Sequence, residues 1–107
     1  MNKLDLIVNQ DYNGLNAGSF FIRNTPEMRL FLDFWSDNLV VERVPSWPQK
    51  EQCAMAYLIT NHPFLRERVG FIEQRLINAY PGGVHNWIEG ELLVHFAGCW
   101  YFYPYCL

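Results

Sequence analysis

The feature that most constrains the fold is a helix start that directly follows an apolar, strand-like segment. Thr25, Pro26 and Glu27 supply a side-chain cap, a proline suited to the first helical turn and an acid that the helix dipole favours. Apolar residues then recur at intervals of three and four, namely Met28, Phe31, Leu32, Trp35 and Leu39. This spacing predicts an amphipathic helix that packs against a sheet, with Met28 in the core rather than acting as a ligand.

The rest of the chain alternates between strand and helix patterns. We predict strands at 4–8, through 20–22, at 71–77 and at 92–96, and a second helix that follows a capping box of Ser46 and Gln49 and ends near Asn61. Such alternation is typical of an α/β unit with a mostly parallel sheet, which binds ligands at the carboxyl ends of its strands. The loop at 13–18 and the segment at 95–99 are expected to lie on that edge.

Length and charge exclude several classes of protein. The 107 residues, half of them apolar, suffice for one small domain but not for two. The net charge is -3 and the eight Lys and Arg are scattered, so we expect no nucleic-acid partner. No apolar run is long enough to cross a bilayer, which predicts a soluble chain without a membrane segment.

Three cysteines and an aromatic tail leave two questions open. Cys99 and Cys106 are close enough in sequence for a local disulfide, whereas Cys53 lies in a helical pattern and is expected to be buried. The count alone does not decide between a disulfide and reduced thiols. The aromatic residues of 99–107 would expose large rings to water, which suggests a partner surface that covers them.

His95 is the first candidate for chemistry. A strand places it on the face opposite Val94 and Phe96, and Gly98 allows the backbone to approach a ligand closely. A neutral imidazole suits Mn²⁺ as one ligand among oxygens. The alternative is a histidine satisfied by backbone hydrogen bonds at a strand end. Because no second histidine, Asp-x-Asp or Cys-x-x-Cys would complete a site, the remaining ligands must come from outside this chain or from substrate phosphates.

Two further groups are candidates for binding and catalysis. Asn16 and Gly18 lie where a loop enters a strand, which suits hydrogen bonds to sugar hydroxyls but also an ordinary turn. Glu51 in the first turn of the second helix is favoured by the helix dipole without any function. Held beside an anomeric carbon, it could act as a nucleophile or stabilise an oxocarbenium-like charge. Gln52 is a poor acid or base, so we expect it to position or to stabilise charge.

Four sequence blocks, at 14–24, 51–54, 74–81 and 95–99, together resemble one family in order and spacing. This is the family of galactosyl and mannosyl transferases that includes fungal Golgi α-galactosyltransferases, α-mannosyltransferase subunits and plant xyloglucan xylosyltransferases. The resemblance implies a GT-A (Rossmann-like) fold and a retaining transferase that uses a nucleotide sugar and Mn²⁺, the metal being held by an Asp-x-Asp motif and a later histidine.

The resemblance also implies roles for individual residues. His95 matches the metal-binding histidine, Gly98 the glycine that lies against the diphosphate, and Asn16, Ala17 and Gly18 the loop near the donor sugar. Glu51 and Gln52 match the pair near the reacting carbon. The residues Gln74, Arg75 and Asn78 match a block that we interpret as mainly structural. Double displacement and front-face attack both stay open as mechanisms.

The chain departs from the family pattern at Lys50, where some relatives carry an acid, and at Trp100, where plant enzymes tend to carry a lysine. The nucleotide-binding half with the Asp-x-Asp is also missing, so residues 1–107 are expected to form a single partial domain, the sugar and acceptor side of a catalytic domain.

The expected function is transfer of a hexose or pentose from a nucleotide sugar to a glycan acceptor. The alternative is a non-catalytic binding or assembly module. The resemblance further implies a Golgi lumenal location, a membrane anchor in the full-length protein and complexes with other transferase subunits.

Overall fold

The computed structural model describes residues 3–12, 14–37, 42, 50–83 and 86–96. The elements in chain order are β1 (Leu6–Asp11), β2 (Gly14–Ile22), α1 (Pro26–Trp35), α2 (Lys50–Asn61), α3 (Pro63–Arg66), β3 (Val69–Ile72) and α4 (Gln74–Asn78). Several predictions fall outside the described residues, namely those on the Ser46 and Gln49 capping box, Leu39, Gly98, Trp100, the Cys99 and Cys106 pair and the aromatic tail.

The three strands form one mixed sheet in the order β2-β1-β3. β1 pairs antiparallel with β2, where Leu6 faces Ile22, and parallel with β3, where Leu6 faces Val69. The α/β class is confirmed, but the described sheet is mixed rather than mostly parallel. The reason is the short connection between β1 and β2, which ends at Gly14 with a φ of 107° and leaves room only for an antiparallel hairpin.

The apolar core lies between β1 and the helices. Leu6 and Val8 of β1 are fully buried, and the helical residues in the same cluster are Met28, Phe31, Met55, Leu58, Ile59 and Leu65. Met28 is 1% exposed, which confirms it as a core residue. Leu32, predicted on the same face, is 37% exposed. At 100° per residue it lies on the flank of the apolar stripe opposite Phe31, and the core covers the Phe31 side.

The predicted start of α1 is confirmed, since the Thr25 hydroxyl accepts from the Met28 N–H at 3.2 Å and Pro26 occupies the first turn. The end of α2 at Asn61 is confirmed as well. Cys53, expected to be buried, is a free thiol that is only partly buried.

The strand predicted at 71–77 is wrong in part, because β3 ends at Ile72 and a short helix follows. Gln74, Ile77 and Asn78 are the buried residues of α4, and their spacing of three and four is the helical period. The strand predicted at 92–96 is reduced to one parallel bridge between Ala79 and Val94. The bridge still brings His95 next to α4, with its N–H donating to the Ala79 carbonyl at 2.6 Å.

Candidate functional site

Polar side chains from distant parts of the chain meet where β1 and the hairpin end. We call this group the polar cluster, and its members are Asn9, Asp11, Asn16, Asn78, Tyr80 and His95. The strands supply the first three, whereas the last three come from α4 and the segment after it. The sheet therefore carries one half of the cluster, and the helix with its bridge closes the other half over it.

Asn16 is a buried residue of the cluster whose amide makes several hydrogen bonds. Its Nδ2 donates to Asp11 Oδ2 at 2.8 Å and to the Tyr80 hydroxyl at 2.9 Å, while its Oδ1 accepts from the Gly18 N–H at 2.7 Å. The last bond is a local side-chain-to-backbone bond of the kind that asparagine favours. The turn interpretation is wrong, because Asn16 lies within β2, opposite Asn9 and next to a register irregularity of the β1–β2 pair. Asn16 thus holds an irregular part of the strand, and contact with a sugar stays a prediction.

Tyr80 and Asp11 form the second pair of the cluster. The Tyr80 hydroxyl donates to Asp11 Oδ2 at 2.7 Å. Burial raises the pKa of Tyr80, and the hydrogen bond to Asp11 and the charge of that carboxylate raise it further. The phenol is therefore protonated throughout the physiological range and remains a donor to the carboxylate.

Gly18 and His95 are in such close contact that any side chain at position 18 would require the His95 ring to shift. A Cβ on Gly18 would lie 2.5 Å from His95 Cε1 and 2.7 Å from its Nδ1. The imidazole also meets the Tyr80 ring edge to face, with 5.8 Å between the centroids. Because of this contact, the loop predicted to face a donor sugar and the predicted metal-binding histidine form one site.

His95 is held by both its backbone and its ring. Besides the backbone bond to Ala79, the ring Nδ1 lies 2.6 Å from Asn78 Oδ1. Burial lowers the pKa of His95, and the negative charge of Asp11 opposes that change. The interpretation that backbone hydrogen bonds alone satisfy this histidine is incomplete, since the ring is positioned by a side-chain amide.

Gln52 and Glu51 are placed differently although they are neighbours. Gln52 Oε1 accepts from the Ala17 N–H at 3.0 Å, which ties the first turns of α2 to the segment 16–18 of β2. Glu51 is exposed and contacts α1 through its backbone carbonyl, which accepts from Trp35 Nε1 at 2.8 Å. Gln52 therefore joins the segment that contacts His95, whereas the Glu51 carboxylate faces outward.

Sequence reasoning missed Asp11, Asn9 and Tyr80 and assigned Asn78 only a structural role. Asp11 could have been found, since it ends an apolar strand just before a turn, where site residues of α/β proteins often lie. No local sequence pattern identifies Tyr80 as a site residue, because its hydrogen-bond partner Asp11 lies 69 positions earlier in the chain.

The described residues do not contain a complete metal centre. Within the ranges given above, no group of three or more His, Cys, Asp and Glu side chains is arranged to hold a metal ion. In the same part of the chain, no helix has the length and apolar character that a membrane crossing requires.

Known proteins resemble this chain over nearly all of its length. The sequence model of the galactosyl transferase GMA12/MNN10 family matches residues 1–105. The protein named probable alpha-1,2-galactosyltransferase gmh2 of Schizosaccharomyces pombe is 47% identical over 102 residues, which cover 94% of this chain and 29% of that relative. The probable alpha-1,6-mannosyltransferase MNN10 of Saccharomyces cerevisiae is 34% identical over 109 residues, covering 91% of this chain and 28% of the relative.

The chain spans less than a third of the length of these two relatives. No solved structure matches it. Since the family match extends from the first residue to residue 105, the chain belongs to the galactosyl transferase GMA12/MNN10 family.

Proposed function

We propose that this chain forms part of the catalytic domain of a metal-dependent, retaining glycosyltransferase of the GT-A type. The domain would transfer a hexose or pentose from a nucleotide sugar to a glycan acceptor. The names of the relatives, galactosyltransferase and mannosyltransferase, support the reaction class. The observation that carries the proposal is the contact between Gly18 and His95, which unites the candidate sugar loop and the candidate metal ligand.

The role proposed for His95 is to supply one nitrogen ligand to Mn²⁺. Its partly buried imidazole has a lowered pKa, so it is neutral near pH 7, the form that binds metals. Asn78 holds Nδ1 and leaves Nε2 as the nitrogen for the metal. The oxygen ligands would come from outside the described residues or from the donor diphosphate, beside which we place Gly98. A bound Mn²⁺ would neutralise charge that develops on the leaving diphosphate.

The role proposed for the segment 16–18 of β2 and for Gln52 is to hold the donor sugar. The segment is fixed by the Asn16 amide and by the bond from the Ala17 N–H to Gln52 Oε1. An amide held in this way stabilises an oxocarbenium-like charge without proton transfer. Glu51 was predicted to lie near the reacting carbon, but it is exposed at the start of α2 and its described contact is a backbone one with Trp35, so the proposal gives the sugar-holding role to Gln52. The proposal is compatible with double displacement and with front-face attack.

We extend the proposal to location and partners. The resemblance to Golgi transferases supports the proposal that the full-length protein acts in the Golgi lumen and in complexes with other transferase subunits. The name of one relative, a mannosyltransferase of yeast, is in keeping with this location.

The test is a sugar-transfer assay on a polypeptide that joins this chain to the region that precedes the matched segment in its relatives. UDP-galactose and GDP-mannose are offered with and without Mn²⁺. We expect Mn²⁺-dependent transfer, and His95→Ala should lower it by at least about 100-fold. The control is His62→Ala, since His62 is exposed where α2 ends.

Two results would contradict the proposal. Transfer that persists in His95→Ala with the same dependence on Mn²⁺ would remove the histidine from the metal site. If the variant instead leaves nucleotide-sugar and Mn²⁺ binding intact and changes only the association with other proteins, the chain is an assembly module.

A further inference from the structure

We infer that Asn9 and Asn78 are positioning residues that fix the tautomer of His95, with the proton on Nδ1 and the lone pair on Nε2. They do so through a hydrogen-bond relay that starts at the backbone carbonyl of Ser19 in β2. The use of this tautomer, which leaves Nε2 free to bind a metal, rests on the proposed function. The assignment of the tautomer rests only on the hydrogen bonds.

The orientation of the relay is set at the Ser19 carbonyl, which can only accept a hydrogen bond. The Asn9 side-chain atom 2.9 Å from it is therefore the donor Nδ2, which also reaches the Asn16 carbonyl at 3.4 Å. Asn9 Oδ1 then faces Asn78 at 2.9 Å, where it requires the donor Nδ2. Asn78 must consequently present Oδ1 to His95, at 2.6 Å from the ring Nδ1.

The proton on His95 follows from this chain of assignments. Asn78 Oδ1 has no hydrogen to give, so the ring nitrogen that faces it carries the proton. In a neutral imidazole the other nitrogen, Nε2, then has the lone pair. Imidazole side chains in water prefer the opposite tautomer, with the proton on Nε2, so the relay reverses an intrinsic preference.

Burial prevents the two amides of the relay from exchanging the positions of their nitrogen and oxygen atoms. Asn9 and Asn78 are both fully buried, so water cannot replace a lost partner. Turning either amide would bring two donors or two acceptors into contact. The Gln74 side chain also donates to the Asn78 backbone carbonyl at 3.1 Å and holds the end of α4. The sheet and α4 together therefore define which nitrogen of His95 is available.

An amide in this position differs from a carboxylate in its charge. In a metal-bound histidine, the ring nitrogen that does not bind the metal commonly donates its hydrogen to a carboxylate, a backbone carbonyl or water. Asn78 accepts the same hydrogen bond without adding a negative charge. A neutral acceptor adds no further negative charge to a cluster that already holds the Asp11 carboxylate.

The first experiment measures the tautomer in the metal-free chain labelled with ¹⁵N. At about pH 8, above the ordinary pKa of imidazole, long-range ¹H–¹⁵N correlation spectra distinguish a protonated ring nitrogen from an unprotonated one. We expect His95 to show a protonated Nδ1 and an unprotonated Nε2. A protonated Nε2, or rapid averaging between the two forms, would overturn the inference.

Variants of Asn78 separate positioning from mere packing. Asn78→Asp keeps an acceptor for the ring and should retain the proton on Nδ1, but it should lower stability because the carboxylate offers no donor to Asn9 Oδ1. Asn78→Leu removes the acceptor, so the proton should move to Nε2 and the affinity for Mn²⁺ should fall by about 10- to 100-fold. An unchanged tautomer in Asn78→Leu would contradict the relay. If that variant does not fold, the wild-type and Asn78→Asp spectra still decide.

The control is Asn61→Asp, because Asn61 is an exposed amide that bonds only to its own helix at the Tyr57 carbonyl among the described contacts. It should leave the His95 spectrum unchanged.

A measurement on the Mn²⁺-loaded transferase tests the relay and the proposed function separately. If electron spin-echo spectra show no histidine nitrogen on Mn²⁺ while the tautomer is as expected, the proposed function fails and the relay stands. If a His95 nitrogen is bound while the tautomer is reversed, the relay fails and the function stands.

Discussion

β1 has two halves that are held in place by different forces. Its first half carries Leu6 and Val8, which pack into the apolar cluster with α1 and α2. Its second half carries Asn9 and Asp11, which are held by hydrogen bonds to other polar groups. Apolar burial depends on area and tolerates changes of shape, whereas hydrogen bonds demand particular atoms at particular distances. The first half therefore supplies stability, and the second supplies geometry.

The largest effect is expected from a cavity in the apolar half. Phe31 is 1% exposed and stacks on Trp35 with 6.1 Å between the ring centroids. Phe31→Ala should lower the free energy of unfolding in urea by about 3–5 kcal/mol. Phe34→Ala is the matched control on the same helix, since Phe34 is 49% exposed, and should change stability by only about 0.5 kcal/mol. Equal losses in the two variants would show that the core is misplaced.

The next largest effect is expected where the polar half is most crowded. In Gly18→Ala the new methyl group would overlap the His95 ring, so the imidazole must move. We expect a loss of about 1–3 kcal/mol in unfolding free energy and large shifts of the His95 NMR signals. Gly82→Ala is the control, because a Cβ there meets nothing within 4 Å. Unchanged His95 signals in Gly18→Ala would refute the contact.

A smaller effect is expected when one polar atom is removed without a change in packing. Tyr80→Phe keeps the ring against His95 but deletes the hydrogen bond to the Asp11 carboxylate and the one that the hydroxyl accepts from Asn16. The free energy of unfolding should fall by about 1.5 kcal/mol. Tyr12→Phe is the control, because Tyr12 is exposed on the neighbouring turn. If both variants unfold at the same urea concentration, the directional bond does not stabilise the polar half.

The smallest effect is expected in the dependence of stability on pH. Burial lowers the pKa of His95 in the folded chain below its ordinary value of 6.5, so the unfolded chain takes up this proton first as the pH falls. The contribution of His95 to stability is therefore complete above pH 6.5 and decreases as the pH falls towards the lowered value. Thermal unfolding in a chelating buffer should show this decrease, and His95→Gln should weaken it. Identical pH profiles for the two proteins would contradict the shift.

The local elements of the fold were the part most accessible to sequence reasoning. The cap at Thr25 and the helix after it depend on neighbouring residues, and the structure has them as predicted. The strand prediction for 71–77 was wrong after Ile72, because the apolar residues of this run fit both the strand period of two and the helical period of 3.6. The buried positions of α4 follow the helical period. The prediction of a mostly parallel sheet was wrong, because the sequence of one strand does not specify which strand it pairs with or in which direction.

The candidate site shows the same division. His95, Gly18 and Gln52 were candidates because of their residue types and the family resemblance, and the structure brings His95 and Gln52 to the segment 16–18 of β2. Their roles stay predictions. Asn78 and Tyr80 were not recognised, because their partners lie 69 positions away along the chain. No periodicity or spacing rule reaches that far.

The sequence by itself determined where α1 begins, which helical face is apolar and the family to which the chain belongs, because these depend on the order of neighbouring residues and on motifs in register. Only the tertiary structure decided that Asn9, Asn78 and His95 form one relay and that Asp11 receives the Tyr80 hydroxyl. The physical reason is that a hydrogen bond requires atoms within about 3 Å, and only the folded sheet brings these groups that close.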